Sequence, residues 1–166
     1  MNKQIKSKVI FVIGVSGSGK TSIGQMLAKT INYKFFDADD FHTKSNIEKM
    51  SNGIPLTDED RLPWLNSLNK IAKLNEANGC VITCSALKQN YRNILANALQ
   101  NNVSWIYLKG SYQLIYERMQ KRANHFMDAK MLKSQFDALE EPANAIEIDI
   151  AQTPQKIVEN IKSILQ

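Results

Sequence analysis

At 166 residues the chain is long enough for one well-buried core and too short for two ordinary domains. A hydrophobic fraction of 43% and a charged fraction of 22% exclude a disordered or low-complexity chain. The formal charge of +5 is spread along the sequence instead of forming a patch, which argues against nucleic acid as the main partner; an enzyme that grips phosphates needs the same excess.

Lys3, Lys6 and Lys8 precede an apolar run and superficially resemble a signal peptide, but the run is short and passes into a glycine-rich loop without a cleavage site. No apolar stretch approaches the roughly twenty residues needed to cross a bilayer, so the expectation is a cytoplasmic protein without a membrane partner. The first run, Val9 to Ile13, is β-branched and aromatic, as a buried parallel strand should be. It leads into G-V-S-G-S-G-K-T, Gly14 to Thr21, and then into apolar residues at helical spacing up to Lys29. Strand, G-x-x-x-x-G-K-[ST] and helix in that order form a phosphate-binding loop. Its glycines, Gly14, Gly17 and Gly19, let consecutive N–H groups converge on phosphate oxygens at a positive helix end. Ser16, Ser18 and Ser22 complete the expected nucleotide contacts, Lys20 reaches the β and γ oxygens, and Thr21 holds Mg²⁺. The expected cofactors are ATP and Mg²⁺.

A second strand, Lys34 to Asp37, ends in Asp37-Ala38-Asp39-Asp40. A solvated acidic turn is the plain alternative, but beside a phosphate loop these carboxylates suit phosphoryl transfer. Asp37 is assigned to the metal and Asp39 to the acceptor hydroxyl, on one face by the period of two. The next strand has no carboxylate, which adds to the burden on Asp37. A brief helix over Ile47 to Met50 precedes the Asn52-Gly53 turn. Thr57 then caps a helix that runs to about Asn75 behind the acidic Asp58, Glu59 and Asp60. Cys80 to Cys84 is the third strand; its two cysteines, roughly 13 Å apart in extended chain, cannot pair there and suit burial as small hydrophobes. A helix from about Gln89 to Leu99, a strand from Val103 to Leu108 and a helix capped by Ser111 and running to about Arg122 follow. The polar segment Ala123 to Asp128 reads as a mobile lid, the lid as a whole spanning about 118–135. A helix from Met131 to Leu139, a fifth strand from Ala145 to Ile150 and a final helix started by Thr153-Pro154 complete the chain.

Alternating strands and helices imply an α/β fold of three layers, α/β/α, with a five-stranded parallel sheet and a small lid, in one domain over residues 1–166. Ligands collect at the carboxyl ends of such strands, so Gly14 to Thr21, Asp37 to His42, Ser85 to Lys88 and Gly110-Ser111 should face one cleft. Arg118 and Arg122, one turn apart, are expected to share a helix face and to neutralise the transferring phosphoryl group, unless they form a solvated basic face. Trp64, Trp105, Met50, Met119, Met127 and Met131 read as packing.

Further motifs sharpen the reading. Asn46-Ile47-Glu48-Lys49-Met50, G-I-P-L-T-D-E-D-R-L-P-W-L from Gly53 to Leu65, C-S-A-L-K-Q-N-Y-R from Cys84 to Arg92, Gly110-Ser111, His125-Phe126-Met127 and S-Q-F-D-A-L-E-E-P from Ser134 to Pro142 follow the loop in order. Together they resemble the gluconokinase family over about Ile10 to Pro142. The resemblance implies ATP-dependent phosphorylation of D-gluconate to 6-phosphogluconate on the P-loop NTPase fold shared with nucleoside monophosphate kinases and shikimate kinase, and it implies a homodimer, although no segment identifies an interface.

A small hydroxylated anion calls for fixed cations and hydrogen-bonding side chains. Arg61 and Lys88 are the candidate cations; His42 and Gln135 are the candidates for the hydroxyls, with Asp39. Arg61 pairing with Asp58, a solvated Lys88 and structural roles for His42 and His125 are the alternatives. The chain departs from the family pattern at Thr43, where a proline commonly follows the His, and at Asn124, which replaces a glycine and would stiffen the lid hinge. A kinase for shikimate, a nucleoside monophosphate or another sugar acid is the rival within enzymes. A nucleotide-dependent switch is the rival outside them, but Asn69-Lys70-Ile71-Ala72 lacks the aspartate of a guanine-reading motif.

Overall fold

The computed structural model describes residues 5–99, 102–122 and 129–166. Five parallel strands, β1 (Val9–Ile13), β2 (Lys34–Asp37), β3 (Cys80–Cys84), β4 (Val103–Lys109) and β5 (Ile146–Asp149), lie in the order β2-β3-β1-β4-β5. Among the described residues the α-helices are α1 (Lys20–Ile31), α2 (Lys44–Ser51), α3 (Asp58–Asn75), α4 (Gln89–Ala96), α5 (Tyr112–Gln120), α6 (Ala129–Ala138) and α7 (Pro154–Leu165). None of them is long and apolar enough to cross a membrane.

The unbroken apolar run of β1 reflects a strand covered on both faces. Ile10 and Val12 join one core with Ile23 and Leu27 of α1, Ile115 of α5, Leu132 of α6 and Ile157 and Ile161 of α7. Val9, Phe11 and Ile13 alternate into a second core with Leu65 and Leu68 of α3 and Tyr91 and Leu95 of α4. Trp105 of β4 stacks on Phe11 at 4.5 Å between ring centroids. Three layers follow directly. The chain leaves β1 toward β2 and leaves β3 toward β4 on the other side of β1, so a crevice opens between the loops after β1 and β3.

Several local expectations are corrected. The helix after β3 ends at Ala96 instead of Leu99, because Ala98 turns into left-handed backbone at φ 55°. The α5 helix ends at Gln120 and Lys121 caps it, so Arg122 lies beyond the helix and does not share a helical face with Arg118. Asp39 is not on the strand: β2 stops at Asp37 and a short 3-10 turn spans Ala38–Phe41, so the period of two does not carry through. Met50 and Met131 are exposed, at 42% and 50%, while Met119 is buried. The lid segment 123–128, with Asn124, His125 and Met127, lies outside the described residues. Both cysteines are free and buried, and burial pushes their thiols up to about 12.

The close approach of α1 to the sheet has a visible cause in Gly24. A Cβ there would stand 2.4 Å from Cγ2 of Thr83 and 2.9 Å from Cε2 of Phe35. Alanine would gain about 1 kcal/mol of helix propensity, whereas overpacking of a filled core costs typically 1–3 kcal/mol. Gly24→Ala should therefore destabilise the fold, read as a lower urea midpoint with an unchanged slope; a raised midpoint would refute the packing argument.

Candidate active site

The site begins where β1 ends. Left-handed Gly19, at φ 92°, caps α1, and Gly17, at φ 79°, brings the loop so close to α5 that a Cβ would meet Sδ of Met119 at 2.8 Å. A loop of this shape over a helix N-terminus aims backbone N–H groups and the positive end of the helix at an anion. Lys20 folds back, its ammonium donating to the Val15 carbonyl at 2.9 Å. Withdrawal from water pushes its pKa down, against the upward pull of Cys84, Asp39 and Asp37. Thr21 Oγ1 donates to Asp37 Oδ2 at 2.7 Å, which brings the loop and the end of β2 together. Ser22 is exposed one residue further on. The Ser18 hydroxyl is buried without a partner among the described residues and lies beside Gly14.

The 3-10 turn after β2 is held at its start from two sides. The Asp39 N–H donates to Asp37 Oδ1 at 3.1 Å, and the buried Trp64 indole donates to the Ala38 carbonyl at 2.7 Å. Partial desolvation and the like charge of Asp37 raise the pKa of Asp39, opposed by Lys20 and His42. His42 stacks on Trp64 at 4.2 Å, with Nε2 4.0 Å from Asp39. Desolvation lowers its pKa, Asp39 raises it, and Arg61 lowers it further. Asp39 and His42 thus form one polar wall, and the charge of Arg61 is felt at the His42 ring. Thr43, in place of the family's proline, caps α2 by accepting from the Asn46 N–H at 3.1 Å.

The two expected cations meet over one carboxylate. Lys88 lies 3.1 Å and Arg61 4.0 Å from Asp58, which also accepts from the Tyr91 hydroxyl. Both cations stand over the Tyr91 ring, at 5.6 Å for Arg61 and 5.5 Å for Lys88. The pairing of Arg61 with Asp58, the alternative raised from the sequence, is therefore present; what the sequence reading missed is that Lys88 and Tyr91 join it, although Tyr91 follows Lys88 by three residues at the start of a helix, the spacing that puts side chains on one face. Hydrogen bonds from Tyr91 and Lys88 hold the Asp58 carboxyl below its ordinary range.

Two expected residues are placed differently. Gln135 does not touch His42, Arg61 or Lys88; its amide grips Ser16, accepting from the N–H at 2.7 Å and donating to Oγ at 2.9 Å. The reason is that α6 packs beside α5 and the loop rather than over the acceptor side. Arg118 donates to the Ile150 carbonyl at 2.6 Å, past the end of β5.

Residues 16–166 match the family model described as shikimate kinase. A probable gluconokinase of Dictyostelium discoideum is 44% identical, over 99% of this chain and 90% of its own length. A thermosensitive gluconokinase of Escherichia coli is 51% identical, over 85% of this chain and 75% of its own. The chain belongs to the gluconokinase family. The crystal structure of a gluconokinase from Sinorhizobium meliloti superposes with a TM-score of 0.88 at 37% identity, over 98% of this chain and 93% of that one. A shikimate kinase from Aquifex aeolicus, at 16% identity and a TM-score of 0.56, shares the fold.

Two gluconokinase motifs are locked together in the fold. Arg92, buried at the end of C-S-A-L-K-x-x-Y-R, donates to the carbonyls of Ala86 and Glu140, each at 2.7 Å. The Glu140 carboxylate accepts from the Gln89 N–H at 2.7 Å, and its own N–H donates to the Leu87 carbonyl at 2.8 Å. Ala86 sits between them with φ 43°, a conformation that a side chain adopts only when its surroundings enforce it. This clamp fixes the loop that carries Lys88. Arg92→Ala leaves two carbonyls unpaired and should cost about 2–4 kcal/mol in urea unfolding. Arg92→Lys should not rescue it, because one ammonium lacks the planar fork that spans both; full recovery by lysine would count against the clamp.

Proposed function

We propose that the protein transfers the γ-phosphoryl group of ATP to the 6-hydroxyl of D-gluconate, giving 6-phospho-D-gluconate and ADP, with the residues above in the following roles. The observation that carries the assignment of roles is the 2.7 Å bond from Thr21 to Asp37, which sets the phosphate loop against the acidic turn. The N–H groups from Gly17 to Thr21 cradle the phosphates, with Gly14, Ser16 and Ser18 shaping the loop and Ser22 at its far edge. Lys20 swings from the Val15 carbonyl to the β and γ oxygens. Thr21 and Asp37 present the hard oxygen donors that suit Mg²⁺, which takes few protein ligands beside phosphate oxygens. Mg²⁺ would supply neutralisation of charge on those oxygens.

Asp39 orients the 6-hydroxyl and accepts its proton as the oxygen bonds to the γ-phosphorus and the bond to the β,γ-bridging oxygen breaks. His42 hydrogen-bonds neighbouring hydroxyls. Arg61 and Lys88 take the carboxylate at the other end of the acceptor, so that its length runs from Asp39 to Arg61. Arg118, once released from the Ile150 carbonyl, and Arg122 would offer guanidinium groups to the charge that spreads over the equatorial oxygens. The possibility that Gln135 meets acceptor hydroxyls is set aside in favour of its contact with Ser16.

Release of ADP from ATP and Mg²⁺, with gluconate, its epimers, shikimate and nucleoside monophosphates offered separately, tests the proposal; selectivity for another acceptor would overturn the pocket assignment. Lys20→Ala should abolish most turnover with folding intact, and near-normal turnover would sink the role of the loop. Arg61→Ala should raise KM for gluconate roughly 10- to 100-fold, the worth of a charge-assisted bond, with little change in KM for ATP. The raised pKa of Asp39 gives a sign for pH. Activity should fall as pH drops through that pKa and the base is protonated, at a higher pH than for an unperturbed carboxylate. Asp39→Asn should lose most of kcat and that acid limb together; a limb retained in a residually active Asn variant would move the base elsewhere.

A further inference from the structure

The hydrogen-bond geometry at Ser16 leaves one proton unassigned by the roles above. A backbone N–H can only donate, so the Gln135 atom 2.7 Å from the Ser16 nitrogen is its carbonyl oxygen. The amide orientation is thereby fixed, and the amide nitrogen is the group 2.9 Å from Ser16 Oγ. An amide nitrogen has no lone pair to offer, so Ser16 Oγ accepts from it. The hydroxyl proton of Ser16 must therefore point away from Gln135. Ser16 also directly precedes Gly17, the first of the N–H groups assigned to the phosphates, so its hydroxyl stands at the edge of that cradle.

We infer that the Ser16 hydroxyl is a hydrogen-bond donor to the terminal phosphoryl group of the bound nucleotide, and that Gln135 is the positioning residue that turns its proton there. This rests on reading the loop as the nucleotide site. The loop then favours a triphosphate over a diphosphate through a contact that ADP cannot make, and ADP leaves without having to break it. The grip also ties α6, the helix that follows residues 123–128, to the loop at the atom that senses the γ-phosphoryl group. Charge-assisted bonds of this kind are about twice as strong as neutral ones.

The test is calorimetric binding of ADP and of a β,γ-imido analogue of ATP, each with Mg²⁺. Ser16→Ala and Gln135→Met, the latter close in volume, should each weaken the analogue roughly 10-fold or more while changing ADP less than about 2-fold. The double variant should be no worse than Ser16→Ala alone, because Gln135 acts only through the Ser16 donor. Ser16→Thr, which keeps the hydroxyl, should retain the preference for the analogue. Equal weakening of both nucleotides would reduce the contact to a support of loop shape and overturn the inference, as would no weakening. Lys20→Ala separates the premise from the inference: undiminished binding of both nucleotides to that variant would remove the loop reading itself.

Discussion

The parallel register of three neighbouring strands is the constraint on which the site depends. Ile13 of β1 pairs with Cys84 of β3, and Asp37 of β2 pairs with Thr83, so the three strands end within one residue of a common level. Everything polar then emerges at the same height: the phosphate loop, the acidic turn and the Ser85 to Lys88 loop. A slip of one residue in β2 would turn Asp37 to the opposite face and break its bond with Thr21. The apolar filling of both faces of β1 and β3 is what makes such a slip costly.

On the acceptor side, the start of α3 organises charge. Thr57 and Asp60 form a reciprocal capping box, and Asp60 also accepts from Lys49 of α2 at 2.7 Å, so the two helices are fastened at that point. Asn46, buried between them, donates to the Asp60 carbonyl at 2.9 Å. The fastening leaves Asp58 free to face Lys88, Arg61 and Tyr91. One carboxylate between two cations gives these three side chains an excess of one positive charge.

What was legible in the sequence is what local rules govern. Val9 to Ile13 and Cys80 to Cys84 read as strands because both faces are buried; Thr57, Ser111 and Thr153 read as caps because each side chain accepts from an N–H three residues on. The phosphate loop was legible because its geometry is built from glycines at fixed spacing. Asp39 was misplaced because a turn begins where period-two reasoning assumed more strand. The contacts of Gln135 with Ser16, of Asp58 with Lys88 and of Tyr91 with Asp58 escaped because they span 119, 30 and 33 residues, and nothing local encodes such distances. Arg122 was put on a helix that ends two residues earlier, a boundary that propensity does not fix.

The position of β1 at the centre of the sheet has a further consequence for how the chain is made. Its partners are residues 80–84 on one side and 103–109 on the other, and the clamp on the Lys88 loop waits for Glu140. During synthesis the most apolar strand therefore emerges well before either of its sheet partners. The nascent chain carries Val9 to Ile13 without a sheet partner through half its length, so assembly is late and nearly all at once, the regime in which a ribosome-bound chain depends most on chaperones.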